Sequence, residues 1–229
     1  MVPREVTTQS GRGRNGPSRL SALHGTGIGA VDIHHRRSVE QSPLRRTVRN
    51  KQALFDKRLA LWTTAQGLME LFGRNRNQFD TKKDEVFFSN NLLFAWLTNN
   101  AFLSDISPTL DHALDSAFQF DFLRKLEEIQ KLAVEASLIF RGNTSRYLGE
   151  FLDDYQALLF KMYQYQILIN HMTDDANRFR WTLEEATDRL DEPAYRNHLF
   201  SAYKKLDASY EKFCNPSIQK KIERQIKLS

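Results

Sequence analysis

Asp153-Asp154 and Glu184-Glu185 set acidic side chains next to one another, the first place to look for acid–base chemistry in this 229-residue chain. Catalytic carboxylates must converge on one pocket and occupy unlike environments, so that one keeps its proton while the other ionises. Adjacent residues on a helix point apart, about 100° per residue, and both pairs lie in helical pattern; they read as solvated charge. His171, Asp174 and Asp175, at i, i+3 and i+4, do share a helix face. No histidine, however, follows a glutamate by three residues as the paired motifs of di-iron bundles require, so the trio reads as polar surface. His34-His35 stands among arginines and glycines, a poor frame for a metal ion. Gly25-Thr26-Gly27-Ile28-Gly29 has the composition of a phosphate-binding loop but lacks a strand before it, a helix after it and a Gly-Lys-Ser/Thr. It reads as a linker. Cys214 is the one cysteine, which excludes a disulfide framework and a Cys-based zinc site and fits a reduced intracellular compartment. Neither Cys214 nor any serine has a His/Asp context for nucleophilic catalysis. The expectation is a protein that is not an enzyme and uses no cofactor and no metal.

The charge distribution is more specific. Residues 1–51 carry ten Lys/Arg against three Asp/Glu, a net of +7, and the remainder nets −2. An asymmetry of this kind calls for a polyanionic partner. Arg12, Arg14, Arg19, Arg36, Arg37, Arg45, Arg46 and Arg49 are the expected contacts. Residues 1–43 are rich in Gly, Ser, Arg and Pro and poor in large apolar residues, so they cannot offset chain entropy by burial and are expected to be a disordered basic tail. The tail has no apolar core of a secretory signal. It is Arg-rich like a mitochondrial leader, but six of the ten glycines fall in residues 1–30 and argue against an amphipathic helix there. Ser42-Pro43-Leu44-Arg45 resembles the consensus of cyclin-dependent kinases, and Arg36-Arg37-Ser38-Val39 and Arg45-Arg46-Thr47-Val48 resemble sites of basophilic kinases. Phosphates on Ser38, Ser42 or Thr47 would each add about −1.5 to −2 charges, and two or three of them would cancel most of the +7.

Beyond Pro43 the periodicity is helical, with no run of alternating β-branched residues. A first helix is predicted over 47–72, with Phe55, Leu59, Trp62, Gln66 and Met69 as its apolar stripe, widened by Leu54, Leu61, Leu68 and Leu71, and a turn at 73–77. A second is predicted from Asp80 or Thr81 to about Leu103, with Phe88, Leu92, Trp96 and Leu103 inward. Ser107-Pro108 predicts the start of a third, running to Phe140 with Phe122, Leu126, Ile129, Ala133, Ala136 and Phe140 buried. Gly142-Asn143-Thr144 then stops and restarts the chain. Leu148, Phe151, Tyr155, Leu158, Met162, Tyr165, Ile169, Met172, Ala176, Phe179, Leu183, Ala186 and Leu190 follow in unbroken steps of three and four. That is six heptads of coiled-coil seam, and one continuous helix of about 46 residues would be roughly 69 Å long. Its aromatic seam positions favour a multi-helix bundle or hetero-complex over a two-stranded dimer. Trp62 and Trp96 read as core anchors, and Trp181 falls off the seam, equally a partner contact or a lone exposed ring. Pro193 interrupts the rod, Leu199, Ala202, Leu206, Tyr210 and Phe213 mark a further helix, and Ile218, Ile222 and Ile226 a basic amphipathic end.

The expected fold class is all-α: an elongated helical or coiled-coil bundle with a disordered basic N-terminal tail, in three segments, 1–43, 44–141 (about three helices) and 142–229. No apolar run approaches the roughly 18–20 residues that span a bilayer, so no transmembrane segment is expected.

The Arg-rich stretch 4–51 with Ser42-Pro43, followed by the 148–190 seam, resembles the layout of the microtubule-binding subunit of the augmin complex. That resemblance implies a subunit of a hetero-octamer acting in microtubule branching within the spindle during mitosis, with the tail arginines on the lattice. Function is accordingly expected to be that of a non-enzymatic scaffold subunit of a cytoskeletal or spindle assembly. Its partners would be other helical subunits and an acidic polymer, the microtubule surface ahead of nucleic acid. Alternatives are a DNA- or chromatin-binding scaffold in the nucleus and a membrane-surface adaptor using the Ile218, Ile222 and Ile226 face.

Overall fold

Arg58, Leu61, Ala65, Leu68 and Phe72 follow one another in steps of three and four, and in the computed structural model of the protein they form the buried stripe of the first helix, with Trp62 and Leu71 buried beside it. The structure describes residues 43–227. The expected tail, with Arg12, Arg14, Arg19, Arg36, Arg37, Ser38, Ser42, His34-His35 and the 25–29 glycines, lies outside the described residues. Within them the regular elements are all helical: α1 (Pro43–Asn75), α2 (Asn77–Lys82), α3 (Asn90–Thr98), a 3-10 helix (Ser104–Leu110), α4 (Ser116–Ile139), α5 (Asn143–Phe179), α6 (Leu183–Arg189), α7 (Glu192–Phe213) and α8 (Pro216–Lys227). No described helix is long and apolar enough to cross a membrane.

The core face of α1 differs from the predicted one. Leu59 is 43% exposed, Gln66 is exposed, and Phe55 and Met69 are half-buried, whereas Trp62 is buried, as are Leu61, Leu68 and Leu71, expected only to widen the stripe. A buried arginine and a small alanine occupy two rungs of the true repeat and hide it from an apolar count. Arg58 is buried because it has carbonyls to meet: its Nε donates to Ile139 O (2.7 Å) and its Nη1 to Gln225 O (2.5 Å). Both acceptors lie in the last turns of their helices, α4 and α8, where carbonyls lack intrahelical partners and a cation complements the helix dipole. Burial, then the nearby Arg141, lowers the guanidinium's pKa from its ordinary value. Arg58→Met is expected to lower stability by about 2–3 kcal/mol in urea unfolding, and to speed amide exchange in α8 more than in α5.

The turn predicted over 73–77 narrows to Arg76, the one residue between α1 and α2. α1 continues to Asn75, and Gly73 instead admits the Tyr210 ring, whose hydroxyl would stand 2.5 Å from an added Cβ. The second predicted helix is two short ones. Phe87 takes a left-handed backbone (φ 56°) between α2 and α3, which lets Phe88 enter the core. Asn100 then ends the segment, its Oδ1 accepting from Phe102 N (3.1 Å) and Leu103 N (2.8 Å). Ser107-Pro108 does not start a long helix either; it lies within the 3-10 turn, and α4 begins where Asp115 accepts a hydrogen bond from Ala117 N (2.9 Å). From there the predicted stripe holds: Phe122, Leu126, Ile129, Ala133, Ala136 and Phe140 are all buried.

α5 is the axis of the core. It packs chiefly on α4 and α7, with α3, α6, α8 and the 3-10 helix also in contact. Leu148, Phe151, Tyr155, Leu158, Met162, Tyr165 and Met172 are buried against elements of the same chain, and Ile169 and Ala176 are half-buried. As far as Met172 the seam therefore finds cover within the chain, chiefly from α4 and α7. The single 46-residue rod is corrected. α5 ends at Phe179, Arg180 turns left-handed (φ 56°), and a new helix begins at Thr182. The cause is local. Thr182 and Glu185 form a capping box, with Glu185 N donating to Thr182 Oγ1 (3.2 Å) and Thr182 N to Glu185 Oε2 (2.9 Å), and these reciprocal bonds satisfy donors that a helix start leaves open. On either side of the break Phe179 and Leu183 are exposed, and farther along the chain Ala186 is buried and Leu190 half-buried. Asp191 is left-handed, and Pro193 sits in the first turn of α7.

α8 closes the bundle. Asn215 Oδ1 accepts from Ser217 N (2.9 Å), and Ile218, Ile222 and Ile226 all lie in the core. The apolar face proposed for a membrane surface is thus spent on internal packing.

Candidate polyanion-binding site

Between Pro43 and Phe55 there is no acidic residue and there are four cations, Arg45, Arg46, Arg49 and Lys51. Every residue from 45 to 53 is exposed, and half-burial begins at Leu54. The first turns of α1 therefore carry their charges clear of the core over about 14 Å of helix. Val48, 67% exposed, is the large apolar residue among them. The charge placement opposes the helix's own electrostatics. Cations cluster at the positive end of the dipole, and Arg45 and Arg49 are like charges at i, i+4; each effect costs a few tenths of a kcal/mol. An anion held along this turn would reverse both. Thr47 lies on the same exposed turn, so a phosphate there would stand among Arg45, Arg46 and Arg49.

Further cations gather where α1 meets the core. Arg141 is exposed just past α4, its N–H donating to Gln225 Oε1 (2.8 Å), and Arg224 and Lys227 are exposed on α8 to either side of Gln225. Gln225 O is the carbonyl that Arg58 holds, so these three cations border the α1 anchor. Asp56, which accepts from Gln52 Nε2 (2.9 Å), and Glu223 are the acids interspersed. Sequence reasoning singled out Arg45, Arg46 and Arg49 but not Arg141, whose contribution depends on how α4 and α8 end together.

Asp153 is exposed and Asp154 half-buried on α5, and Glu184 and Glu185 are exposed, the latter engaged in the capping box. His171 and Asp174 are exposed and Asp175 half-buried. Among the described residues no three His, Cys, Asp or Glu side chains are grouped to hold a metal ion. Burial raises the Cys214 thiol's pKa, which keeps it protonated and a poor nucleophile. Trp181 stacks on Phe179 (5.0 Å between centroids, 24°), and the Arg189 guanidinium lies 4.8 Å from the Trp181 ring centroid, so the ring is partly covered at the α5–α6 break.

Buried polar groups have structural duties. Lys125 bridges Glu128 (2.9 Å) and Asp105 (3.3 Å), tying α4 to the 3-10 helix; burial alone would lower its pKa, but the two carboxylates outweigh that and raise it. The phenols of Tyr155 and Tyr163 donate to Leu97 O and Ala113 O, each at 2.6 Å. Arg76 pairs with Asp207 (3.1 Å) and with Glu211, joining the α1–α2 junction to α7.

No protein-family model, curated protein or solved structure matches the chain.

Proposed function

We propose that the protein is a non-enzymatic helical scaffold subunit of an intracellular cytoskeletal or spindle assembly, and that its basic leading stretch binds an acidic polymer such as the microtubule surface. The observation that carries this reading is the acid-free, exposed stretch 45–53 of α1, where Arg45, Arg46, Arg49 and Lys51 are presented at an energetic cost to the helix itself. The arginines of residues 4–37 extend the same charge in sequence. A role without catalysis is supported by the duties of Arg58, Lys125, Tyr155 and Tyr163, each used to hold helices together. The sequence's resemblance in layout to the microtubule-binding subunit of augmin, in its basic leading stretch ahead of helices, is what suggests tubulin, whose surface and C-terminal tails are acidic. In this reading phosphorylation of Ser38, Ser42 or Thr47 weakens the grip by cancelling charge.

The test is co-sedimentation with microtubules beside a gel shift on duplex DNA, at matched salt. The expected result is pelleting with microtubules, with Arg45→Glu/Arg46→Glu/Arg49→Glu weakening it by about tenfold or more, because affinity for a polyanion tracks the number of charges neutralised. DNA binding in preference to microtubules would move the proposal to chromatin. Binding to neither would end it.

A further inference from the structure

The outer face of α4 carries four large apolar side chains that nothing in the described chain covers: Phe120 (67% exposed), Leu123 (41%), Val134 (56%) and Leu138 (76%). At 100° per residue they fall within an arc of about 60°, on the side away from Phe122, Ile129 and Ala136, which face the core. Single exposed hydrophobes are ordinary, but four in one stripe mark an interaction surface. Between them along the helix stand Glu127, within that arc, and Lys131, about 20° beyond its edge, both exposed and neither in an ion pair among the described residues.

The order of these six residues is a palindrome with respect to chemistry. Counted from a point level with residue 129, Phe120 and Leu138 are equidistant, Glu127 and Lys131 are equidistant, and Leu123 and Val134 match to within one residue. An antiparallel copy of the helix, related by a two-fold axis at that point, would place Phe120 against Leu138, Leu123 against Val134, and Glu127 against Lys131 of its mate. Each pairing would occur twice. A two-fold interface demands this self-complementarity, with residue i meeting j and j meeting i, and a face that binds an unrelated helix does not.

We infer that two copies of this chain associate through α4, antiparallel, with four apolar pairs and two central Glu127–Lys131 ion pairs. This goes beyond the polymer-binding reading and stands or falls separately from it. The contact is small, below about 1,200 Å² in total, so the dimer belongs to the weak class and is expected to dissociate on the order of 1–100 µM.

The experiment is sedimentation velocity on the full chain across that concentration range. The wild type is expected to shift from monomer to dimer. Leu138→Glu is expected to stay monomeric, and Glu127→Lys and Lys131→Glu each to stay monomeric because each sets like charges opposite one another twice. Mixing the two single-charge variants is expected to restore dimers, since lysines of one then face glutamates of the other. The double variant Glu127→Lys/Lys131→Glu is expected to dimerise on its own. Thermal melts of the single variants should match wild type, as their sites are exposed. A wild type monomeric throughout, a dimer indifferent to Leu138→Glu, or a charge-variant mixture that stays monomeric while wild type dimerises would each overturn the inference.

Discussion

Phe213→Ala is expected to lower the unfolding free energy by about 3–5 kcal/mol, a large fraction of the roughly 5–15 kcal/mol that stabilises a typical domain. Phe213 is fully buried at the end of α7. Its ring meets Trp62 of α1 edge-on (5.7 Å between centroids, 78°) and stacks on Phe151 of α5 (5.0 Å, 23°). One side chain thus joins three helices, so its loss opens a cavity that no single helix can close by shifting. Urea unfolding measures the loss, and Phe213→Leu, which refills most of the volume, should recover more than half of it. A destabilisation under about 1 kcal/mol would mean that α7 is not packed on α1 and α5 in this way.

Arg196→Met is expected to be comparably damaging, at about 3–5 kcal/mol. Glu192 is completely buried in the first turn of α7. Its Oε1 accepts from the Tyr165 phenol (2.5 Å) and pairs with Arg196 Nε (3.3 Å), while Oε2 is buried without a partner among the described residues. Burial, then Glu192 itself, raises the phenol's pKa well above its ordinary value, so Tyr165 keeps its proton and serves as a donor. With Arg196 gone, the carboxylate loses its one countercharge in a site that water does not reach. Adding Glu192→Gln removes the charge and leaves an acceptor for Tyr165. The double variant is therefore expected to regain more than half of the lost stability, and a thermodynamic cycle from four melts reads the coupling directly. Additive losses would show that the pair does not interact.

Where the core is apolar and regular, the sequence carries it plainly. α4 shows this, since all six residues of its repeat are buried, and so do the early heptads of α5. The stripe of α1 was obscured because Arg58 stands on one rung; a charged residue there becomes intelligible only once the carbonyls of Ile139 and Gln225 are brought to it from 81 and 167 residues away. The break at Arg180 is a different case. Its signal, Thr182-Leu183-Glu184-Glu185, is present in the sequence as a capping box, but it lies inside an unbroken heptad count, and the local hydrogen bonds outweigh the seam. Ser107-Pro108 is the converse, a helix-start signal that the chain uses in a 3-10 turn while Asp115 opens the helix. As for the candidate site, the charge block of Arg45, Arg46 and Arg49 is legible from composition alone. Its presentation on an exposed helical turn is not, because burial depends on where the remaining helices end.

A grip built on charge shows itself in the salt dependence of full-chain binding to microtubules, taken as log K against log salt between about 50 and 200 mM. A straight, steep decline is expected for the wild type, with Arg45→Gln/Arg46→Gln/Arg49→Gln flattening the slope by about two to three, near one per cation removed. Binding that ignores salt, or a slope unchanged by losing those three arginines, would contradict such a grip.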